Sequence, residues 1–154
     1  MKQDETRDLG RLLGWCGHLV HQRMNENLCR YDLTPAQAHV ILYLLRSPEP
    51  GRVNQRALEA ELRVRPSTVN GIVERLEERG FITRRTGEHD ARCRYILVTE
   101  KGRVLEKELS AGIAETERRI AHGFSTEETE QVAGYLERMI RNLTDGGKGG
   151  TKKL

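Results

Sequence analysis

The feature that most narrows what this chain can fold into is the run Arg63 to Val98, RVRPSTVNGIVERLEERGFITRRTGEHDARCRYILV. A short polar-faced helix there leads into two basic strands joined by a charged turn. Pro66 lacks a backbone N–H, which costs nothing at the first position of a helix, so the spacing predicts a helix that starts there and closes at Gly80. Val69, Ile72, Val73 and Leu76 recur at three- and four-residue steps and form one buried stripe. The opposite face carries Ser67, Thr68, Asn70, Gly71, Glu74 and Arg75, which are small or hydrogen-bonding groups. A major groove admits a helix of this kind: small residues let the backbone approach, Asn70 can pair with a base edge, and Arg75 can reach a phosphate. After Gly80 the chain re-enters the core through Phe81 and Ile82. Thr83 to Arg85 and Tyr95 to Val98 read as paired strands, with Arg92 and Arg94 beside Asp90 in the turn from Thr86 to Arg94, a wing.

Charge distribution agrees with that reading better than the total does. The net charge is only +3, but residues 52–103 hold twelve basic and eight acidic side chains (+4), against fourteen and fifteen (−1) elsewhere. The basic excess falls where phosphates would be neutralised and counterions released.

These residues resemble the winged helix-turn-helix of the MarR family of transcription regulators. The likeness is carried by Pro66, Ser67, Thr68 and Val69, by Arg75, Leu76 and Glu77 running to Gly80, by Asp90 and Arg92, and by Val98, Thr99, Lys101 and Gly102. In element order it extends from about Leu9 to Leu143. The resemblance implies that the Pro66 helix enters the major groove, and that Arg92 sits at the wing tip and reaches the minor groove, held by Asp90. Two features depart from the family pattern: the connection Ser47 to Val53, with two prolines and a glycine, looks longer than usual, and the wing carries Cys93.

Along the chain, residues 1–33 form an N-terminal dimerisation helix, spanning about Arg7 to Arg30 behind a frayed start. Its apolar side holds Leu9, Leu12, Leu13, Cys16, Leu19, Val20, Met24 and Leu28. That is more than a small domain can cover by itself. Residues 34–98 form the DNA-binding lobe. There Thr34, Pro35 and Gln37 make a capping box for a central helix to about Arg46. Asn54 caps the next helix, Gln55 to about Leu62, which braces the Pro66 helix, and Arg52 and Val53 pair briefly with the wing. Residues 99–144 hold two more dimerisation helices. One is capped by Thr99 and runs from Glu100 to about His122, with Val104, Leu105, Ile113 and Ile120 as an interrupted seam. The other opens with the capping box Ser125 to Glu128 and carries a stripe of Val132, Leu136, Met139, Ile140 and Leu143. Residues 145–154 read as a disordered tail. The fold class is therefore mainly α (α+β), a winged helix-turn-helix with N- and C-terminal dimerisation helices.

No phosphate-cradling glycine loop, nucleophile-base pair or apolar carboxylate pair is present, so the chain is not read as an enzyme and no cofactor is expected. The DNA contacts are assigned to Arg65, Ser67, Thr68, Asn70, Gly71 and Arg75 on the helix and to Arg84, Arg85, Asp90, Arg92 and Arg94 on the wing. Glu77 and Glu78 are expected to pair with arginines such as Arg79 or Arg85. His18, His21, His39 and Cys29 lack metal-ligand spacing, so no metal is assigned. Cys93, between two arginines, is the candidate for a reactive thiol, with Cys16 second, which leaves a redox-responsive regulator as an alternative. A winged-helix protein-interaction module is another. The resemblance implies a small-molecule effector, with Trp15, His18, Leu19, Arg23 and His39 as candidate lining residues. Three cysteines without paired spacing and no signal segment point to the cytoplasm, and no apolar run is long enough to span a membrane. The expected protein is a homodimer that reads a pseudo-palindromic double-stranded DNA operator and acts as a repressor.

Overall fold

Capping residues set most helix starts. The computed structural model describes residues 8–145, so the expected frayed start and disordered tail lie outside the described residues, except for Asp145, the last residue of the final helix. In chain order the elements are α1 (Leu9–Leu28), a 3-10 turn (Cys29–Tyr31), α2 (Pro35–Arg46), α3 (Gln55–Leu62), α4 (Pro66–Glu78), β1 (Ile82–Thr86), β2 (Arg94–Val98), α5 (Glu100–Arg103), α6 (Glu106–Ile120) and α7 (Thr126–Asp145). The chain divides into two compact units between residues 116 and 117.

In the first unit, the capping box at α2 is reciprocal: Gln37 N–H donates to Thr34 Oγ1 (3.2 Å) and Thr34 N–H to Gln37 Oε1 (3.0 Å), which satisfies two donors the helix cannot use itself. α2 is central, with Ala38, Val40, Ile41, Leu42 and Leu44 buried. Asn54 caps α3 through Ala57 N–H at 3.0 Å. α3 ends where Arg63 turns left-handed (φ 52°), and the short link to Pro66 completes the helix-turn-helix. α4 buries Val69, Val73 and Leu76 completely. It ends in a Schellman arrangement, Gly80 N–H to Glu77 O (2.9 Å) and Phe81 N–H to Leu76 O (2.9 Å), which requires the positive φ of 76° that glycine adopts freely at residue 80.

The two strands pair antiparallel, with Ile82 opposite Val98, Arg84 opposite Ile96 and Arg85 opposite Tyr95. The two-residue period of a strand turns Ile82, Arg84, Ile96 and Val98 toward the helices and Thr83, Arg85, Tyr95 and Leu97 outward. The brief pairing expected near Arg52 and Val53 is present as a bridge between Asn54 and Tyr95, with Ile96 N–H donating to Val53 O at 2.8 Å.

Two expectations need correction. The helix read from Glu100 to about His122 is broken at Val104 and Leu105, where Leu105 N–H bonds Gly102 O at 3.2 Å, three residues back. Gly102 is pressed so closely against the wing that a Cβ there would lie 2.5 Å from Val98 Cγ1 and 2.7 Å from the Phe81 carbonyl oxygen. α5 is thus locked to β2, while Leu105 in the break and Leu109 and Ile113 of α6 pack into the core. In the interrupted seam, Val104 and Ile120 are exposed, and Leu109 is the buried residue. α6 is joined to α1 by Asn27, whose Nδ2 donates to Gly112 O (3.1 Å) and Thr116 Oγ1 (3.3 Å). The second correction concerns α1, which begins at Leu9 and gives way at Cys29 to the 3-10 turn. Leu28 is its one buried residue, and Leu9, Leu12, Leu13, Trp15 and Leu19 stand exposed.

The second unit contains α7, opened by the reciprocal capping box of Ser125 and Glu128 (2.8 and 3.1 Å). Its stripe of Val132, Leu136, Ile140 and Leu143 is 40 to 80% exposed. Among the described residues no helix is long and apolar enough to cross a membrane.

Candidate nucleic-acid interface

α4 exposes Ser67, Thr68 and Arg75 to solvent and leaves Asn70 and Gly71 partly so, the face expected from the helical period. Its N-terminal end is built differently from its neighbours. Asp8, Thr34, Asn54 and Thr99 cap α1, α2, α3 and α5 with side-chain oxygens. Arg65, at the corresponding position of α4, gives no such bond, so this terminus and its partial positive charge remain open. Asn70 is not idle, since its Nδ2 donates to Glu74 Oε1 at 2.9 Å, one turn on.

The C-terminal end of α4 is held from three sides. The Arg79 guanidinium donates to the carbonyls of Asp32 and Tyr31, the latter at 3.1 Å. Lys101 Nζ donates to Arg79 O, and Thr99 Oγ1 to Gly80 O, both at 2.6 Å. Arg79 and Lys101 lie 5.1 and 4.6 Å from the centre of the Phe81 ring. Sequence reasoning gave Arg79 only a pairing role with glutamates; it is instead the anchor between α4 and the turn before α2. A signal was available in Phe81, an aromatic ring two residues after a basic one at a helix end.

The partner of Glu77 also differs from expectation. Arg84, not Arg79 or Arg85, faces it, with Nε 3.3 Å from Glu77 Oε2. Nε makes no aligned hydrogen bond, so the contact is Coulombic, and it joins wing strand to recognition helix with the arginine side chain only 20% exposed. Arg84 is therefore partly withdrawn, while Arg85 and Arg94 are exposed. With Glu74, Glu77, Glu78 and Thr86, these three arginines line the cleft between α4 and the wing.

At the wing tip Arg92 is exposed, and Asp90 Oδ1 accepts its backbone N–H at 2.9 Å. Asp90 thus shapes the turn and leaves the guanidinium free. Cys93 closes the loop: Gly87 N–H donates to Cys93 O at 2.8 Å. Its thiol is half-buried rather than held out on the turn. The Cys93 side chain raises the Tyr95 phenol above its ordinary value near 10, first by accepting a hydrogen bond from it and then through its negative charge, although Arg52 pulls the other way.

The candidate effector residues are less gathered. Trp15 and Leu19 are each 61% exposed, with Arg11 stacked 5.3 Å from the Trp15 ring. His18 lies exposed beside them, Arg23 pairs with Glu26 at 3.0 Å, and His39 Nε2 meets Glu61 of α3 at 2.8 Å. Among the described residues no three histidine, cysteine or acidic side chains are grouped to hold a metal ion.

Residues 31–92 match the model of the MarR family. The structure of the transcription regulator MarR from Oenococcus oeni PSU-1 is 30% identical in sequence and superposes with a TM-score of 0.76 over 87% of this chain and 99% of that one. The chain belongs to the MarR family. This MarR-family protein is accordingly a transcription regulator and not an enzyme, and its winged-helix fold is that of its relatives. S. aureus MepR, solved as a complex with DNA, is 26% identical and matches 86% of this chain and 96% of its own at a TM-score of 0.81. CouR from Rhodococcus jostii RHA1, solved bound to p-coumaroyl-CoA, is 26% identical and matches 97% and 99% at 0.74.

Proposed function

We propose that two copies of this MarR-family chain form a dimer in the cytoplasm that reads a pseudo-palindromic double-stranded DNA operator and represses transcription until a small-molecule effector binds. Residues 34–98 form the DNA-binding lobe, and the helices within 1–33 and 99–144 form the dimer. In each lobe Ser67, Thr68, Asn70 and Gly71 meet base edges in the major groove, with Arg65 and Arg75 on the flanking phosphates. Arg92 enters the minor groove from a turn shaped by Asp90, and Arg85 and Arg94 contact phosphate, with Arg84 beside them at the junction of wing and helix. One observation carries this reading: a single unit presents the small polar face of α4 and the free guanidinium of Arg92 together, joined through Glu77 and Arg84. The DNA complex of MepR supports it.

The dimer is supported by apolar surface that one chain leaves open, on α1 at Leu9, Leu12, Trp15 and Leu19 and on α7 at Val132, Leu136, Ile140 and Leu143. Two copies of α4 then meet successive major grooves only at one separation, about 34 Å, so a molecule that alters the separation alters affinity. Trp15, His18, Leu19, Arg23 and His39 are the residues assigned to that effector, an amphipathic or anionic one, a reading that the ligand-bound CouR structure supports. Selection of bound genomic fragments followed by a salt titration tests the whole scheme. A DNA reader enriches a two-fold related site and loses affinity steeply as salt rises. Absence of enrichment, or binding indifferent to salt, would favour a winged-helix surface that recognises protein.

A further inference from the structure

Three carboxylates of α4 line its cleft with the wing, and they are not equivalent. Glu77 has the Arg84 guanidinium 3.3 Å away, and Glu78 stands at the last residue of the helix. Glu74 lies in mid-helix, exposed, and its bond is to the neutral amide of Asn70 at 2.9 Å. Among the described residues no cation pairs with it directly, although Arg75 follows it in the helix and Arg84, Arg85 and Arg94 line the same cleft. Along α4, Ser67, Gly71, Glu74 and Glu78 follow one another at three- and four-residue steps, so Glu74 shares the face that meets DNA if α4 does. From Ser67 to Glu74 is about 10 Å along the helix axis, roughly three base-pair steps.

A carboxylate facing a duplex is repelled by phosphate and by the acceptor atoms of guanine and thymine. The donors available in the major groove are the amino groups of cytosine and adenine. Adenine presents its N7 acceptor next to the amino group, whereas cytosine presents the amino group alone. The amide of Asn70 completes the match. One of its N–H groups holds Glu74, and the second is free to donate to O6 of the guanine paired with that cytosine. We infer that Glu74 is a specificity-determining residue that accepts a hydrogen bond from a cytosine amino group, positioned by Asn70, so that the two side chains read one G·C pair as a unit. This rests on α4 being the reading helix.

The test is selection from a random duplex library at fixed salt with the wild-type dimer, Glu74→Ala, Glu74→Gln and Asn70→Ala, each first checked for an unchanged melting temperature. The wild type should enrich cytosine at one position of each half-site. Glu74→Ala should lose that preference by roughly ten- to hundredfold while keeping the rest of the site, and should bind non-specific DNA more tightly because a repulsive charge is gone. Glu74→Gln, which adds a donor, should shift the position toward adenine. Asn70→Ala should weaken the same position. An unchanged consensus in Glu74→Ala, with all sequences bound more tightly alike, would show a carboxylate that only repels phosphate and would overturn the inference. Loss of preference at every position at once would overturn it too, since Glu74 would then be holding the helix in shape. A wild-type protein that enriches no sequence removes the reading of α4 itself, and this inference with it.

Discussion

Asp90 Oδ1 accepts the backbone N–H of Arg92 at 2.9 Å, so the carboxylate is used on the main chain of the wing and the arginine side chain is left to face outward. A guanidinium presented in this way has shed none of its charge to a neighbour. It can neutralise a phosphate or enter a narrow, electronegative minor groove at no cost in broken ion pairs.

Arg92→Ala should therefore weaken operator binding by about 1–3 kcal/mol and reduce the magnitude of the slope of log affinity against log salt by about one. The melting temperature should not move, because the side chain makes no hydrogen bond or ion pair among the described residues. Fluorescence anisotropy at several salt concentrations measures both quantities. Equal affinity at matched salt would take the wing out of the mechanism.

Gly102→Ala probes the junction of α5 with the wing. The added methyl would sit 2.5 Å from Val98 Cγ1 and 2.7 Å from the Phe81 carbonyl oxygen, and the latter is backbone that cannot swing aside. Overpacking of this kind costs about 1–3 kcal/mol, read as a lower urea midpoint at unchanged slope. A midpoint equal to that of the wild type would mean that α5 is not locked to β2.

Tyr95 gives a pH signature. Its phenol is raised above 10, first through the hydrogen bond with Cys93. A proton held more tightly in the folded state than in the unfolded one contributes stability below pH 10, and that contribution is lost as pH rises through the folded value. In Cys93→Ala the titration, followed by NMR of ring-labelled tyrosine, should move down toward the ordinary value. A curve that stays in place would place the cause elsewhere in the wing.

Leu136→Lys introduces a charge into the open stripe of α7, where the residue is already 40% exposed in a single chain. The fold of the chain should survive, with helical circular dichroism retained. Sedimentation should show dissociation of the dimer, and operator affinity should fall with it. A variant that remains dimeric would move the interface off this stripe.

Sequence legibility followed how local the physics was. Thr34 with Gln37, Asn54, Pro66 and Gly80 act within a single turn of chain, and the ends they predicted for α2, α3 and α4 match the structure to within one or two residues. The break before α6 was not legible, because it comes from Gly102 packing on residues four and twenty-one positions earlier. For Glu77 the choice among neighbouring arginines turned on strand phase. With Ile82 inward, Arg84 shares its side and Arg85 does not, a consequence of the two-residue period that composition leaves open. The helical period alone gathers the exposed and hydrogen-bonding residues of α4 on one face, but the bond between Asn70 and Glu74, which makes one unit of two side chains, depends on rotamers that spacing does not set.

The contact between Glu77 and Arg84 also sets a limit for anyone who would retarget such a regulator. Transplanting the operator-facing segment of a relative into positions 67–75 leaves residue 77 native and the hairpin seated. A graft that runs three residues further exchanges the carboxylate that faces Arg84, and a chimera made that way would lose the ion pair between its new reading surface and the wing.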